Sequence, residues 1–153
     1  MKKLLILLII PLLSFSQCLV GDCDNGSGFY LYEDGVSLYQ GEWKNGVEDG
    51  WGISILYDDD GNLLSVYDGE WKDGAEDGWG TETLYNEDGE NLGTYTGEWK
   101  EGDENGWGVL VWGKGDIEEG IFKNGDFIDS YEPKSGDYEY EPRKDDDYRP
   151  QSN

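Results

Sequence analysis

The sequence predicts an all-β protein, an elongated single-layer antiparallel sheet of tandem β-hairpin repeats. Three observations predict it. First, Tyr39-Gln40-Gly41-Glu42-Trp43-Lys44-Asn45-Gly46 returns as Tyr67-Asp68-Gly69-Glu70-Trp71-Lys72-Asp73-Gly74 and as Tyr95-Thr96-Gly97-Glu98-Trp99-Lys100-Glu101-Gly102, with the tryptophans 28 residues apart. Second, each copy is followed by Gly-Trp-Gly, at Gly50-Trp51-Gly52, Gly78-Trp79-Gly80 and Gly106-Trp107-Gly108. Third, Asp34-Gly35, Asp60-Gly61 and Asp88-Gly89 separate the copies, and Asp-Gly is the dipeptide that a two-residue type I′ hairpin turn demands. A fixed period of this length, with no helical apolar pattern, is the mark of a stacked repeat.

The strand assignments follow from alternation. In Tyr-x-Gly-x-Trp the first, third and fifth residues share one face of a strand, so Tyr39, Gly41 and Trp43 lie opposite Gln40, Glu42 and Lys44. Folding the chain about the Asp-Gly bends places Gly52 opposite Gly69, Gly50 opposite Trp71 and Ser54 opposite Tyr67. The next bend places Gly80 opposite Gly97 and Gly78 opposite Trp99, and the first places Gly26 opposite Trp43. A three-residue loop at Gly113-Lys114-Gly115 puts Gly106 opposite Phe122, within a degenerate last copy, Gly120-Ile121-Phe122-Lys123-Asn124-Gly125. Glycine therefore faces an aromatic ring in four hairpins of different loop length. The expected reason is space: a glycine lets the indole lie across the sheet, and the ring shields the bare backbone. Tyr39, Gly41, Trp43, Gly50, Gly52, Tyr67, Gly69, Trp71, Gly78, Gly80, Tyr95, Gly97, Trp99, Gly106, Gly108 and Phe122 form the expected structural spine. A lone hairpin buries too little to be stable, so the copies are expected to share this spine.

Tyr-x-Gly-x-Trp-x-x-Gly-x-x-x-Gly-x-Gly at 39–52, 67–80 and 95–108 resembles the MORN (membrane occupation and recognition nexus) repeat family. The resemblance covers roughly residues 21–129 and implies a twisted sheet of successive hairpins. Two departures stand out. The 28-residue copies carry extra residues around Asp60-Gly61 and Asp88-Gly89, and the basic or histidine residues frequent after the family's turn are here Glu48-Asp49, Glu76-Asp77 and Glu104-Asn105. The second departure tells against a lipid-binding reading.

The chain ends divide from the repeats. Lys2 and Lys3, the apolar run Leu4–Leu13 and Ser14-Phe15-Ser16 read as a signal peptide spanning residues 1–16, cut after Ser16. Ten apolar residues reach only about 15 Å, half a bilayer core, so an anchor is the poorer reading. Gln17 before Cys18 does not suit a lipobox, so a lipid-anchored form is not expected. The protein is expected to be exported, to a periplasm or outside the cell. In an oxidising compartment Cys18 and Cys23 could bridge within the 17–25 segment, with two free thiols as the alternative. The repeat domain is expected over 26–129, and 130–153, with Pro133, Pro142, Pro150 and Asp145-Asp146-Asp147, reads as an acidic disordered tail or a tyrosine-bearing docking peptide.

Charge and composition bound the function. The 153 residues carry a net charge of −24 and no histidine. That field repels nucleic acid and anionic membrane surfaces, and leaves basic proteins, neutral glycans and cations as partners. Without histidine, a nucleophile elbow or a phosphate loop, and on a sheet with no deep pocket to raise a carboxylate pKa, no enzyme and no cofactor are expected. The main expectation is a protein–protein interaction or scaffold module. The alternative is glycan or divalent-cation binding. Trp51, Trp79 and Trp107 fall on the face opposite the spine, about 10 Å apart, with Glu70 and Glu98 across the hairpins from Trp51 and Trp79. Such a row could stack on sugars or grip cationic side chains, or it could pack against its own neighbours Ile53, Ile55 and Val109. Asp58, Asp60, Asn62 and Asp88 are weak calcium candidates, for which turn chemistry is an adequate explanation.

Overall fold

A computed structural model describes residues 17–130. The signal-peptide reading of 1–16 and the tail reading of 131–153 lie outside the described residues. Ten strands run Gln17–Gly21 (β1), Asn25–Leu31 (β2), Leu38–Lys44 (β3), Val47–Tyr57 (β4), Leu63–Lys72 (β5), Ala75–Tyr85 (β6), Asn91–Lys100 (β7), Asp103–Trp112 (β8), Ile117–Lys123 (β9) and Asp126–Asp129 (β10). They form one sheet in chain order, each antiparallel to its neighbours, as tandem hairpins require. The pairings read from the sequence hold: Gly50 opposite Trp71, Gly78 opposite Trp99, Gly26 opposite Trp43 and Gly106 opposite Phe122.

The turns correct one expectation. Type I′ needs positive φ at both central residues, and Asp34, Asp60 and Asp88 lack it. The residues that have it are Asn45-Gly46, Asp73-Gly74, Glu101-Gly102 and Asn124-Gly125, at the other end of the strands. At the Asp-Gly ends the chain makes wider loops with only the glycine left-handed. Asp58 N–H donates to the Asn62 carbonyl and Gly61 N–H to that of Asp58. The Asp58 carboxylate accepts the N–H groups of Asp60 and Asn62, and Asn86 does the same for Asp88 and Glu90. A side chain that caps its own turn replaces the tight bend, and the pairing shifts between Leu56 and Tyr57, and between Leu84 and Tyr85, absorb the extra residue.

The N-terminal boundary also moves. Residues 17–25 are not a segment apart from the sheet: β1 pairs with β2, and Cys18 and Cys23 are bridged with Cα atoms 5.8 Å apart. The short covalent loop holds the reversal between the two strands, and Cys23 packs against the end of the aromatic core.

The core is one file of rings on one face. Tyr39, Trp43, Tyr67, Trp71, Tyr95, Trp99 and Phe122 are buried. Each tyrosine sits edge to face between two further rings: Tyr67 has Trp71 of its own strand at 5.3 Å and Trp99 of the next repeat at 5.1 Å. Tyr39 relates in the same way to Trp43 and Trp71, and Tyr95 to Trp99 and Phe122. This geometry favours the ring quadrupoles as well as burial. Because every tyrosine is shared between repeats, each repeat completes the core of its neighbour.

Candidate functional site

Each face of the sheet is built by a different part of the repeat. On the spine face, the Tyr67 ring lies over the paired glycines Gly69 and Gly80, and its hydroxyl donates to the Glu70 carbonyl at 3.0 Å. Trp71 Nε1 donates to the Gly52 carbonyl and Trp99 Nε1 to that of Gly80, both at 3.2 Å. The glycine requirement therefore has a different cause from the one the sequence suggests. The glycines that make room for a ring are Gly41 with Gly52, Gly69 with Gly80 and Gly97 with Gly108, and the ring is the tyrosine.

Gly50, Gly78 and Gly106 face the tryptophans but serve another purpose. All three have positive φ, between 108° and 118°, in bulges where the pairing slips between Gly41 and Trp43, Gly69 and Trp71, and Gly97 and Trp99. The slip exposes a backbone N–H on the next residue, and a glutamate satisfies it. Trp51 N–H donates to Glu42 at 2.8 Å, Trp79 N–H to Glu70 at 3.2 Å and Trp107 N–H to Glu98 at 3.0 Å. A side chain at Gly78 would run into Glu70, with Cδ 2.8 Å away. Glu70 and Glu98 do stand across from Trp51 and Trp79, yet their carboxylates are turned to the bulges, a structural duty that leaves them poorly placed to grip a ligand.

Trp51, Trp79 and Trp107 lie half-buried on the face away from the spine. Trp51 Nε1 donates to Asp68 at 3.1 Å. Trp79 and Trp107 stack at 14°, with their centroids 6.0 Å apart. A row standing upright on alternate strands would be spaced at about 10 Å, so the indoles lean along the sheet. Stacking turns one flat surface of each ring toward its neighbour, which removes area that a sugar would need. Of the cation candidates, Asp58 is occupied with its own loop and its carboxyl is held below the usual range by the Asn62 amide. Asp58, Asn62 and Asp88 line a groove of about 390 Å³ between the two long loops. Among the described residues no three acidic, cysteine or histidine side chains converge as metal ligands.

The spine face holds a set of carboxylates that the sequence pattern alone does not mark as a site. Glu48, Glu76 and Glu104 pair across from Trp43, Trp71 and Trp99. They are half-buried and one repeat apart, roughly 10 Å by strand spacing. The Tyr32 hydroxyl donates to Glu48 at 2.8 Å. Desolvation raises the carboxyls of Glu76 and Glu104 above the ordinary range, and Glu48 adds repulsion at Glu76. Glu82 is raised by the same burial and by Glu76 and Glu104. Tyr39, Tyr67 and Tyr95 are also raised, by burial first and by these glutamates second. A signal for the row is present in the chain: a glutamate recurs five residues after each spine tryptophan, on the tryptophan's own face.

The MORN repeat model matches at three consecutive stretches, 39–60, 67–89 and 95–117. No curated protein matches the chain. The matched stretches coincide with the three full copies of the ring-over-glycine unit, so the geometry and the family pattern describe the same repeat. The three stretches are MORN repeats, and repeats of this family commonly serve as protein- or membrane-interaction modules.

Proposed function

We propose that the protein is an exported, non-enzymatic interaction module that holds a basic segment of a partner protein along its spine face. The observation that carries this reading is the file of half-buried carboxylates, Glu48, Glu76 and Glu104, each beside a buried tryptophan. Carboxylates raised by desolvation gain most when a cation replaces the lost water, and the neighbouring aromatic edges suit the stems of lysine or arginine. The net charge of −24 supports a basic partner over an anionic membrane through long-range attraction. The leader-like pattern of residues 1–16 and the Cys18–Cys23 bridge support export to an oxidising compartment. The family's generally non-catalytic character supports an interaction role.

The test is a titration of the purified protein with a lysine-rich peptide, followed by tryptophan fluorescence. Binding is expected to weaken about tenfold in the Glu76→Gln/Glu104→Gln double variant and to weaken with salt. Binding that is absent, or indifferent to both substitutions, refutes the reading. N-terminal sequencing of the exported protein checks the cleavage site, with Gln17 the expected first residue.

A further inference from the structure

The face opposite the spine carries a feature that neither the indole row nor the acidic loops explain. Following the cross-strand pairs from β4 to β9 gives one continuous line: Ile55, Val66, Thr83, Thr94, Val111 and Ile117. Leu38 and Leu31 extend it through β3 and β2. No charged residue interrupts the line across these eight strands, in a chain of which 30% of residues are charged. The line is open to solvent in places, with Ile117 at 64% and Val111 at 39% exposure.

The order of side chains is informative. From its centre between Thr83 and Thr94, the line reads threonine, valine, isoleucine in both directions. We infer that this face packs on the same face of a second copy. The two-fold axis would run parallel to the strands, between β6 and β7. Thr83 then meets Thr94 of the second copy, Val66 meets its Val111, and Ile55 meets its Ile117. A self-complementary patch is what a two-fold interface requires.

The threonines suit the centre. Thr83 and Thr94 share a hydrogen bond of 3.1 Å, and Thr81 and Thr96 one of 3.0 Å. Each hydroxyl oxygen already has a partner within the sheet, which lowers the cost of covering it. The axis lays β4–β9 of one copy over β9–β4 of the other, and six strands at about 4.8 Å with two side-chain rows at about 6.8 Å give about 400 Å² from each copy. The total, about 800 Å², is the size of a weak, reversible contact and not of a permanent dimer. Charge opposes association at long range. At short range Glu70 and Glu98 are turned to their own bulge N–H groups, and Asp68 accepts from Trp51. Two copies packed in this way turn both spine faces outward.

The experiment is analytical ultracentrifugation of the purified protein across concentration and salt. A concentration-dependent dimer is expected, tightening as salt rises, the opposite of the salt response for a basic partner. Ile117→Glu, at an open position, and Ile55→Lys are each expected to weaken association at least tenfold. Mixing the two variants should recover association, because the two introduced charges are opposite in sign and face each other across the interface. Thermal melts verify that each variant is folded. A monomer at every concentration refutes the inference, as does a dimer indifferent to both substitutions. So does a monomer that dimerises only after residues 131–153 are removed, which would show the chain's own C-terminal segment covering the face.

Discussion

Replacing Gly80 by alanine tests the ring-over-glycine account directly. An added Cβ would sit 2.5 Å from Tyr67 Cζ and 2.6 Å from its Cε2. Real contacts never come so close, so ring or backbone must give. The backbone has little freedom, because Gly80 pairs with Gly69 on one side and Gly97 on the other. The Tyr67 ring, 1% exposed, is therefore the part that moves. Displacing it forfeits its edge contacts with Trp71 and Trp99 and its hydrogen bond to the Glu70 carbonyl. Overpacking alone costs about 1–3 kcal/mol, and losing a buried ring outright about 3–5 kcal/mol. A cost of about 3 kcal/mol is expected, which lowers the melting temperature by roughly 10–20 °C for a domain of this size. Urea unfolding of Gly80→Ala, Tyr67→Leu and the double variant supplies the decisive comparison. In the Tyr67→Leu background the alanine should cost at least about 1 kcal/mol less, since there is no ring left to displace. An alanine that costs under about 1 kcal/mol, or costs the same in both backgrounds, refutes the account.

Glu70→Ala removes the acceptor for the Trp79 N–H and should cost about 1 kcal/mol, while Glu70→Gln, which keeps an amide oxygen, should cost less; equal urea midpoints for all three chains would exclude a capping role. Cys18→Ser/Cys23→Ser should cost at most about 2 kcal/mol, and hydrogen exchange should show the loss confined to β1 with β4–β7 unchanged. Stability should depend on pH in a defined sense. Burial holds Glu76, Glu82 and Glu104 above their ordinary 4.5, so the folded chain keeps protons that the unfolded chain has released. Stability therefore falls as pH rises from 4.5 through the folded values. Asp58 is depressed below 3.8, so its contribution is lost as pH falls below that value. Melting temperature should peak in mildly acidic solution, and Glu76→Gln should raise it near neutral pH; a flat profile between mildly acidic and neutral solution would contradict the burial of these groups.

The fold is legible in the sequence because its signals are periodic. Tyr39, Gly41 and Trp43 alternate, their copies recur at a fixed interval, and register follows by counting outward from a bend. The form of a bend is less legible. Asp60-Gly61 and Asp73-Gly74 are the same dipeptide, yet only the second is left-handed at both residues. The difference lies in Asp58, whose carboxylate draws two N–H groups into a wider loop, a choice made by a residue outside the dipeptide. The bulge at Gly78 is hidden for a related reason. Counting about one bend places Gly78 opposite Trp99 and is silent about the slip on its other side, against Trp71. Counting likewise makes Glu70 a neighbour of Trp51, which it is, and misses its tie to the Trp79 backbone.

The ends of the sheet show why contacts with other molecules should use its faces. An open sheet offers unpaired N–H and carbonyl groups at both outer strands, and an exposed flat edge invites uncontrolled pairing. Both edges here are blunted. β1 is interrupted by a register shift between Cys18 and Val20 and is tied back through Cys23. β10 has four residues, a shift between Phe127 and Asp129, and a carboxylate at each end. Two short, bent edges cannot template a further strand with regular hydrogen bonding. The broad surfaces that remain differ in kind, one lined with desolvated glutamates beside aromatic rings and one with an uncharged line across eight strands. Salt should therefore act in opposite directions on the two, weakening attachment to the first and strengthening attachment to the second, so one titration separates them.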